Sequence, residues 1–343
     1  MADRDEDRKT GREAHQQLSR SPETLLAAAQ AGSVRAVARL LTLVELGGAP
    51  AAAVTAALVG IPRTATIIGL TGPPGVGKST TTDRLVTAYR AAGLRVAVLA
   101  VDPSSPFSGG ALLGDRVRMA DHATDPQVYI RSMSSRGSLG GLSVAAPDAV
   151  DVLSALGFGV VIVETVGVGQ NEVDVMRLVD TVVVVLAPGM GDGVQAAKAG
   201  ILEVADILVV NKADHAGAEF TVRELKSMVA LGRTGSATAG SWRIPVLTTV
   251  AARGDGIDVL MDGLRTHAEH LASSGGDHDR RLRRASAGVL TAAHDLWNRL
   301  LASPSGRQLL DDAAARIVGE ESDHHRAARE IVLWAADRLQ KEG

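Results

Sequence analysis

The sequence predicts an α/β fold: a mostly parallel sheet covered by helices on both faces, plus N-terminal and C-terminal helical extensions. Two observations carry this. Seven short apolar runs recur between residues 66 and 250, with helical intervals between most of them. Continuous apolar strands alternating with helices are the pattern of a parallel sheet buried on both sides. The first run also ends in a glycine-rich turn that opens directly into a helical stretch, GPPGVGKSTTTDRL.

Taken in order, residues 1–20 are charge-dense, lack the apolar segment of a signal peptide, and are expected to form a disordered tail. Residues 21–60 are expected to be a helical segment. Ser21 sits at an N-cap position with Pro22 just inside, and Leu25, Leu26, Ala29, Val34, Val37, Leu40 and Leu41 recur at helical spacing. GGAP at 47–50 breaks this run before AAAVTAALVG. Residues 61–265 form the α/β domain. Its strands are TIIGLTG, RVAVLAVD, VYIRSM, GVVIVET, TVVVVLAP, ILVVN and IPVLTTV. From residue 266 to 343 the pattern is helical again, around the polar stretch GGDHDRRLRR, with Trp297 and Trp334 on the later helices. These tryptophans fit ordinary packing or a helical arm that meets another subunit.

Composition narrows the chemistry. The 343 residues are 45% hydrophobic and 22% charged, with a formal net charge of −3. That balance gives no global attraction to nucleic acid or to an anionic membrane. No apolar stretch approaches the roughly 18 residues of a membrane helix. There is no cysteine, so disulfides, thiolate metal sites and cysteine nucleophiles are excluded. A cytoplasmic location is the expectation.

GPPGVGKS at 72–79 satisfies G-x-x-x-x-G-K-[ST] in full, between a strand and a helix. This makes the fold a P-loop NTPase. Gly72, Gly75 and Gly77 let the backbone curl until its N–H groups point inward. Those groups, with Pro73, Pro74, Val76, Ser79 and Thr80 in the same turn and the positive end of the following helix, cradle phosphate oxygens. Lys78 reaches the β- and γ-phosphates, and the Ser79 hydroxyl ligates Mg²⁺. Asp102 and Glu164 each end a strand, where ligands bind in an open parallel sheet. Both are candidate magnesium acids, and Asp115 in LLGDRVRM is a weaker third. The competing reading of the strand-end acids is an acidic helix cap.

NKAD at 211–214 follows another strand and matches the N-K-x-D pattern of guanine recognition. The Asp214 carboxylate can accept hydrogen bonds from the ring N–H and the exocyclic amine of guanine. Adenine would leave it desolvated and unpaired, which favours GTP over ATP. Asn211 braces the loop and the Lys212 stem lies over the base. A further contact is expected from the main chain at Val250, Ala251 and Ala252, where many GTPases carry Ser-Ala.

With these residues in view, GPPGVGKST, VDPSSP, LLGDRVRM, ETVGVGQNEVD, PGMGDGVQAAKAGI and EVADILVVNKAD together resemble MeaB/MMAA-type GTPases. These are the G-protein chaperones of adenosylcobalamin-dependent methylmalonyl-CoA mutase. The likeness covers roughly residues 20–340. It implies GTP/GDP and Mg²⁺ as ligands, with Ser79, Asp102, Asp115 and Glu164 around the metal. It also implies a mutase partner and a homodimer formed through the C-terminal helices. It casts 103–118 and 165–174 as nucleotide-sensing switches, and 189–198, with Asp192 and Lys198, as a third switch facing the mutase.

Glu164-Thr165-Val166-Gly167 fits an acid-x-x-Gly switch in which the Gly167 N–H senses the γ-phosphate. Val168 cannot orient a water, and Gln170 lies two residues beyond it. With Lys78, Glu164, Gly167 and Gln170 as catalytic candidates, the expected unaided turnover is slow, on the order of 10⁻⁴ to 10⁻² s⁻¹. Two other readings compete. A nickel metallochaperone of the hydrogenase or urease type shares the phosphate loop but needs Cys or clustered His. A GTP-gated interaction module would hydrolyse only incidentally. A signal-recognition-type GTPase is weaker, since it calls for a Met-rich domain and there are 7 Met.

Overall fold

A computed structural model describes residues 21–102, 122, 124–134, 145–165, 178–189, 204–232 and 241–342. All seven expected strands form one sheet: β1 (Thr66–Thr71), β2 (Val96–Asp102), β3 (Val128–Ser134), β4 (Val160–Thr165), β5 (Thr181–Leu186), β6 (Ile207–Val210) and β7 (Val246–Thr248). The order is β3-β2-β4-β1-β5-β6-β7, and every neighbouring pair is parallel. All the strand carboxyl ends therefore lie at one edge. β1 sits centrally between β4 and β5, so the turn leaving it opens in the middle of that edge.

The sheet is buried on both faces because its central strands are apolar at nearly every position rather than at alternate ones. Ile67, Val161, Val163, Val182, Val184 and Leu208 turn to one face, where they join a core with residues of α1 (Pro22–Gln30), α2 (Val34–Leu46) and α3 (Gly48–Ala57). Ile68, Ile162, Val183, Val185 and Val209 turn to the other. There they pack against Leu85 and Val86 of α4 (Lys78–Ala91) and against a later helix through Leu260 and Leu264. The first face also receives Val150, Val152 and Leu153 of α5 (Ala146–Ala155), and Leu225 of α6 (Ala218–Gly232).

The N-terminal segment differs from the sequence expectation in one respect. The helical spacing ran unbroken through residues 31–33, but the structure stops α1 there and restarts at α2. Gly32 adopts φ +96°, which L side chains rarely do. The Ser33 hydroxyl then accepts from the Ala36 N–H at 3.3 Å, an N-cap.

At the other end, α7 (Ile257–Ser274) supplies Leu260 and Leu264 to the second core face. The polar stretch after it is helical from Gly276 on: it forms the first third of α8 (Gly276–Ala302). Two further helices follow, α9 (Pro304–Val318) and α10 (His324–Glu342). The sequence reading passed over α9, although Ser303 caps it and Pro304 stands at its first turn. By internal packing the chain divides into one compact unit ending at Ala287 and a second from Gly288. Among the described residues, no helix is long and apolar enough to cross a membrane.

Candidate functional site

The phosphate loop occupies the turn between β1 and α4. Gly72, Gly75 and Gly77 all have positive φ, at 140°, 77° and 96°. At two of them space is as decisive as conformation. A Cβ on Gly72 would collide with the Val185 carbonyl oxygen of β5, and one on Gly77 with the Asn211 amide nitrogen. The loop is thus seated directly against the strand beside β1 and against the NKAD turn. Lys78 is 8% exposed. Its ammonium donates to the carbonyls of Gly72 at 2.5 Å and Pro73 at 3.1 Å, so the cation is held inside the curl of the loop.

Glu164 ends β4 with its carboxylate 2% exposed. The Ser79 hydroxyl donates to Oε1 at 2.6 Å, and the Thr82 hydroxyl donates to Oε2 at 2.8 Å. A buried carboxylate requires such partners. The pair brings a hydroxyl and a carboxylate together at the mouth of the loop. This is a hard oxygen donor set of the kind that suits Mg²⁺. Among the described residues no group of three or more His, Asp or Glu side chains is arranged to hold a metal. Thr82 was not anticipated. One turn after Ser79 on the same helix face, it was findable from i, i+3 spacing.

The base-side turn is tied to the phosphate loop by two side chains. Asn211, 3% exposed, donates from Nδ2 to the Val76 carbonyl at 2.8 Å. Its Oδ1 accepts from the Thr249 hydroxyl at 3.1 Å and the Ala251 N–H at 3.0 Å. Lys212 holds the left-handed conformation, φ 56°, a strained state for a non-glycine residue. Its ammonium donates to the Gly75 carbonyl at 2.8 Å. Asp214 stands further out, where Arg253 approaches its carboxylate at 3.3 Å. Arg253 also donates to Asp255 at 2.9 Å. Hydrogen bonding to Asp255, with its charge and that of Asp214 behind it, raises the Arg253 guanidinium further above its ordinary value.

The loop after β7 completes this side. An isolated bridge between Val250 and Asp255 closes it, and Gly256 must be glycine because a Cβ there would strike the Thr248 carbonyl. The Ala251 N–H, where the base contact was expected, is taken by Asn211. Arg84 of α4 reaches across to this loop, donating to the Ala251 and Ala252 carbonyls, both at 3.0 Å. Nothing local marks Arg84 or Arg253 for these roles, since both contacts depend on tertiary placement.

The structure brings together Gly72 to Thr80, Glu164, Asn211, Lys212, Asp214 and Val250 to Ala252. Asp102 ends β2, two strands from β1, and its side chain lies outside what the structure describes. Asp115, Gly167, Gln170, Asp192 and Lys198 also lie outside the described residues. So do the expected tail at 1–20, the expected switch at 103–118, all of the second beyond Thr165, and all of the third but Gly189.

Comparison with known proteins agrees with this geometry. The family model described as methylmalonyl Co-A mutase-associated GTPase MeaB matches residues 37–305. A protein of Pyrococcus abyssi named as a GTPase is 45% identical over 301 residues, spanning 88% of this chain and 93% of its own length. One from Mycobacterium tuberculosis, also named as a GTPase, is 40% identical over 269 residues, spanning 77% and 79%. The crystal structure of a LAO/AO transport system kinase superposes with a TM-score of 0.62 at 23% identity, covering 91% of this chain and 97% of that one. At that identity it speaks to the fold.

Proposed function

The chain belongs to the MeaB family of GTPases, and from this premise we propose that it couples GTP binding and hydrolysis to the loading and protection of adenosylcobalamin in methylmalonyl-CoA mutase. GTP hydrolysis is the family's reaction. The mutase as client is our reading, supported by the family's description and by a site that places a phosphate loop, a strand-end acid and a guanine turn at one edge. The observation that carries it is the pair of hydrogen bonds joining three segments, Glu164 to Ser79 and Asn211 to Val76.

In this reading the loop amides bind the α- and β-phosphates, while Lys78 leaves its two carbonyls for phosphate oxygens. Ser79 and Glu164, with Asp102 and Asp115, would hold Mg²⁺, which when bound would supply positive charge to offset that of the phosphates. Asp214 exchanges Arg253 for the guanine edge. Gly167 senses the γ-phosphate. With Val168 where a water-orienting side chain would stand, hydrolysis is slow until a partner supplies the missing groups, a contribution on the order of 10³ or more. We assign the homodimer contact to the C-terminal helices, taking residues 266–343 as the arm. Val289, Leu290, Val318, Val332 and Leu333 are exposed there, a density of apolar surface that a subunit contact would cover.

The test is GTP turnover by the purified protein, alone and with adenosylcobalamin-dependent methylmalonyl-CoA mutase. Turnover is expected to be slow alone and to rise with the mutase by a factor on the order of 10³, as partner groups supply. Many turnovers per second without a partner, or no response to the mutase, would contradict the reading.

A further inference from the structure

Arg84 lies on α4, whose first turn binds phosphate, yet its guanidinium leaves that helix to grip the loop on the base side. Nε donates to the Ala251 carbonyl and Nη2 to the Ala252 carbonyl, both at 3.0 Å. Two parallel donors from a planar fork fix two successive peptide planes, which a single flexible ammonium would not. In a trans peptide the N–H points opposite to the C=O of the same plane. Holding the Ala251 carbonyl toward α4 therefore turns the Ala252 N–H away from α4.

The neighbouring amides are already engaged. The Val250 N–H donates to Asp255, the Ala251 N–H to Asn211 and the Arg253 N–H to the Val250 carbonyl. The Ala252 N–H makes no hydrogen bond among the described residues. Among residues 250–253 it is thus the donor left for a ligand. Asp214, on the adjoining turn, is an acceptor suited to the guanine N–H groups. An acceptor and a donor side by side match the guanine edge, where the carbonyl oxygen adjoins the ring N–H.

We propose that Arg84 is a positioning residue for base recognition, aiming the Ala252 N–H at the guanine carbonyl oxygen and linking the phosphate helix to the base-reading loop. This rests on the guanine-site reading above and adds the group that sets its carbonyl contact. Arg84 itself touches neither base nor phosphate in this scheme.

The experiment compares dissociation constants of GDP, 6-thio-GDP, IDP and ADP for wild type, Arg84→Ala and Arg84→Lys. Replacing the carbonyl oxygen by sulfur weakens the acceptor that the Ala252 N–H meets. Omitting the exocyclic amine weakens the contact to Asp214. Wild type should prefer GDP over both analogues. Arg84→Ala should collapse the GDP/6-thio-GDP ratio toward one, keep the GDP/IDP ratio within about twofold, and lower GDP affinity about tenfold, the loss of one well-made hydrogen bond. Arg84→Lys, with one donor, should fall between. An unchanged GDP/6-thio-GDP ratio in Arg84→Ala, or an equal fall in both ratios, would overturn the assignment. A wild type that does not prefer GDP over ADP would instead remove the guanine-site reading beneath it.

Discussion

Lys78 shows how one side chain can be poised by its own backbone. Its ammonium is buried, and two loop carbonyls satisfy it. Those carbonyls are neutral acceptors, and a γ-phosphate oxygen is a charged one, so in the proposed reading nucleotide binding would exchange weaker hydrogen bonds for stronger. Lys78→Ala should lower GTP affinity by roughly 10- to 100-fold, the worth of a charge-assisted hydrogen bond. GDP affinity should fall less, because the γ-phosphate contact is missing there. Isothermal titration with a nonhydrolysable GTP analogue and with GDP checks this. Equal losses for both nucleotides would mean that Lys78 does not reach the γ-phosphate. Asp214 is poised differently. It is exposed and shared with Arg253, a solvent-screened pair of little net worth, so a guanine base would meet little resistance in displacing the arginine.

Among the elements, α8 carries an unusual load in its first turns. Arg280 makes a two-point contact with Asp206, at 2.6 and 2.9 Å, and Arg284 meets Asp180 at 2.9 Å. Both aspartates precede strands, β6 and β5, and accept from strand amides at Val182 and Ile67. This network pins the helix to the amino edge of the sheet, opposite the nucleotide edge. Burial pushes the Asp206 carboxyl up, but His267 and Arg280 outweigh it and leave it below the ordinary aspartate value. A depressed carboxyl contributes stability that is complete above the unfolded value of about 3.9 and is lost as pH falls through the lower folded value. Arg280→Leu strands Asp206 and should cost about 3 kcal/mol at pH 7. The gap to wild type should narrow below about pH 4, because the aspartate protonates first in the variant and in folded wild type only at lower pH. Denaturant melts at pH 7 and pH 3.5 decide this, and a gap that widens in acid would refute it. The same network explains why GGDHDRRLRR read as a polar break. Charge alone suggests solvent, and the partners 74 and 104 residues upstream leave no local trace. The central strands were legible because each is a nearly unbroken apolar run. The phosphate and NKAD turns were legible because glycine and amide requirements there are local. Thr82 and α9 left local signals that went unread, while Arg84 and Arg253 depend on which distant loops the sheet brings alongside.

At the scale of the whole molecule, the strand order does the assembling. β1 and β4 are neighbours, and β5 separates β1 from β6. Motifs from residues 72, 164 and 211 therefore open onto one edge despite about 140 residues of intervening chain. Helices cover both faces of the sheet, which leaves its carboxyl edge as the place for ligands. The proposed partner and dimer functions depend on surfaces beyond that edge, and the guanine nucleotide is what would couple them to it. The direct test is the nucleotide preference of Asp214→Asn. An asparagine amide in place of the carboxylate can pair with the second carbonyl of xanthine, but not with the exocyclic amine of guanine. Competition binding should show wild type preferring GTP over XTP, and Asp214→Asn reversing the order by about 10-fold or more in each direction. A variant that keeps full GTP preference would show that base recognition lies elsewhere.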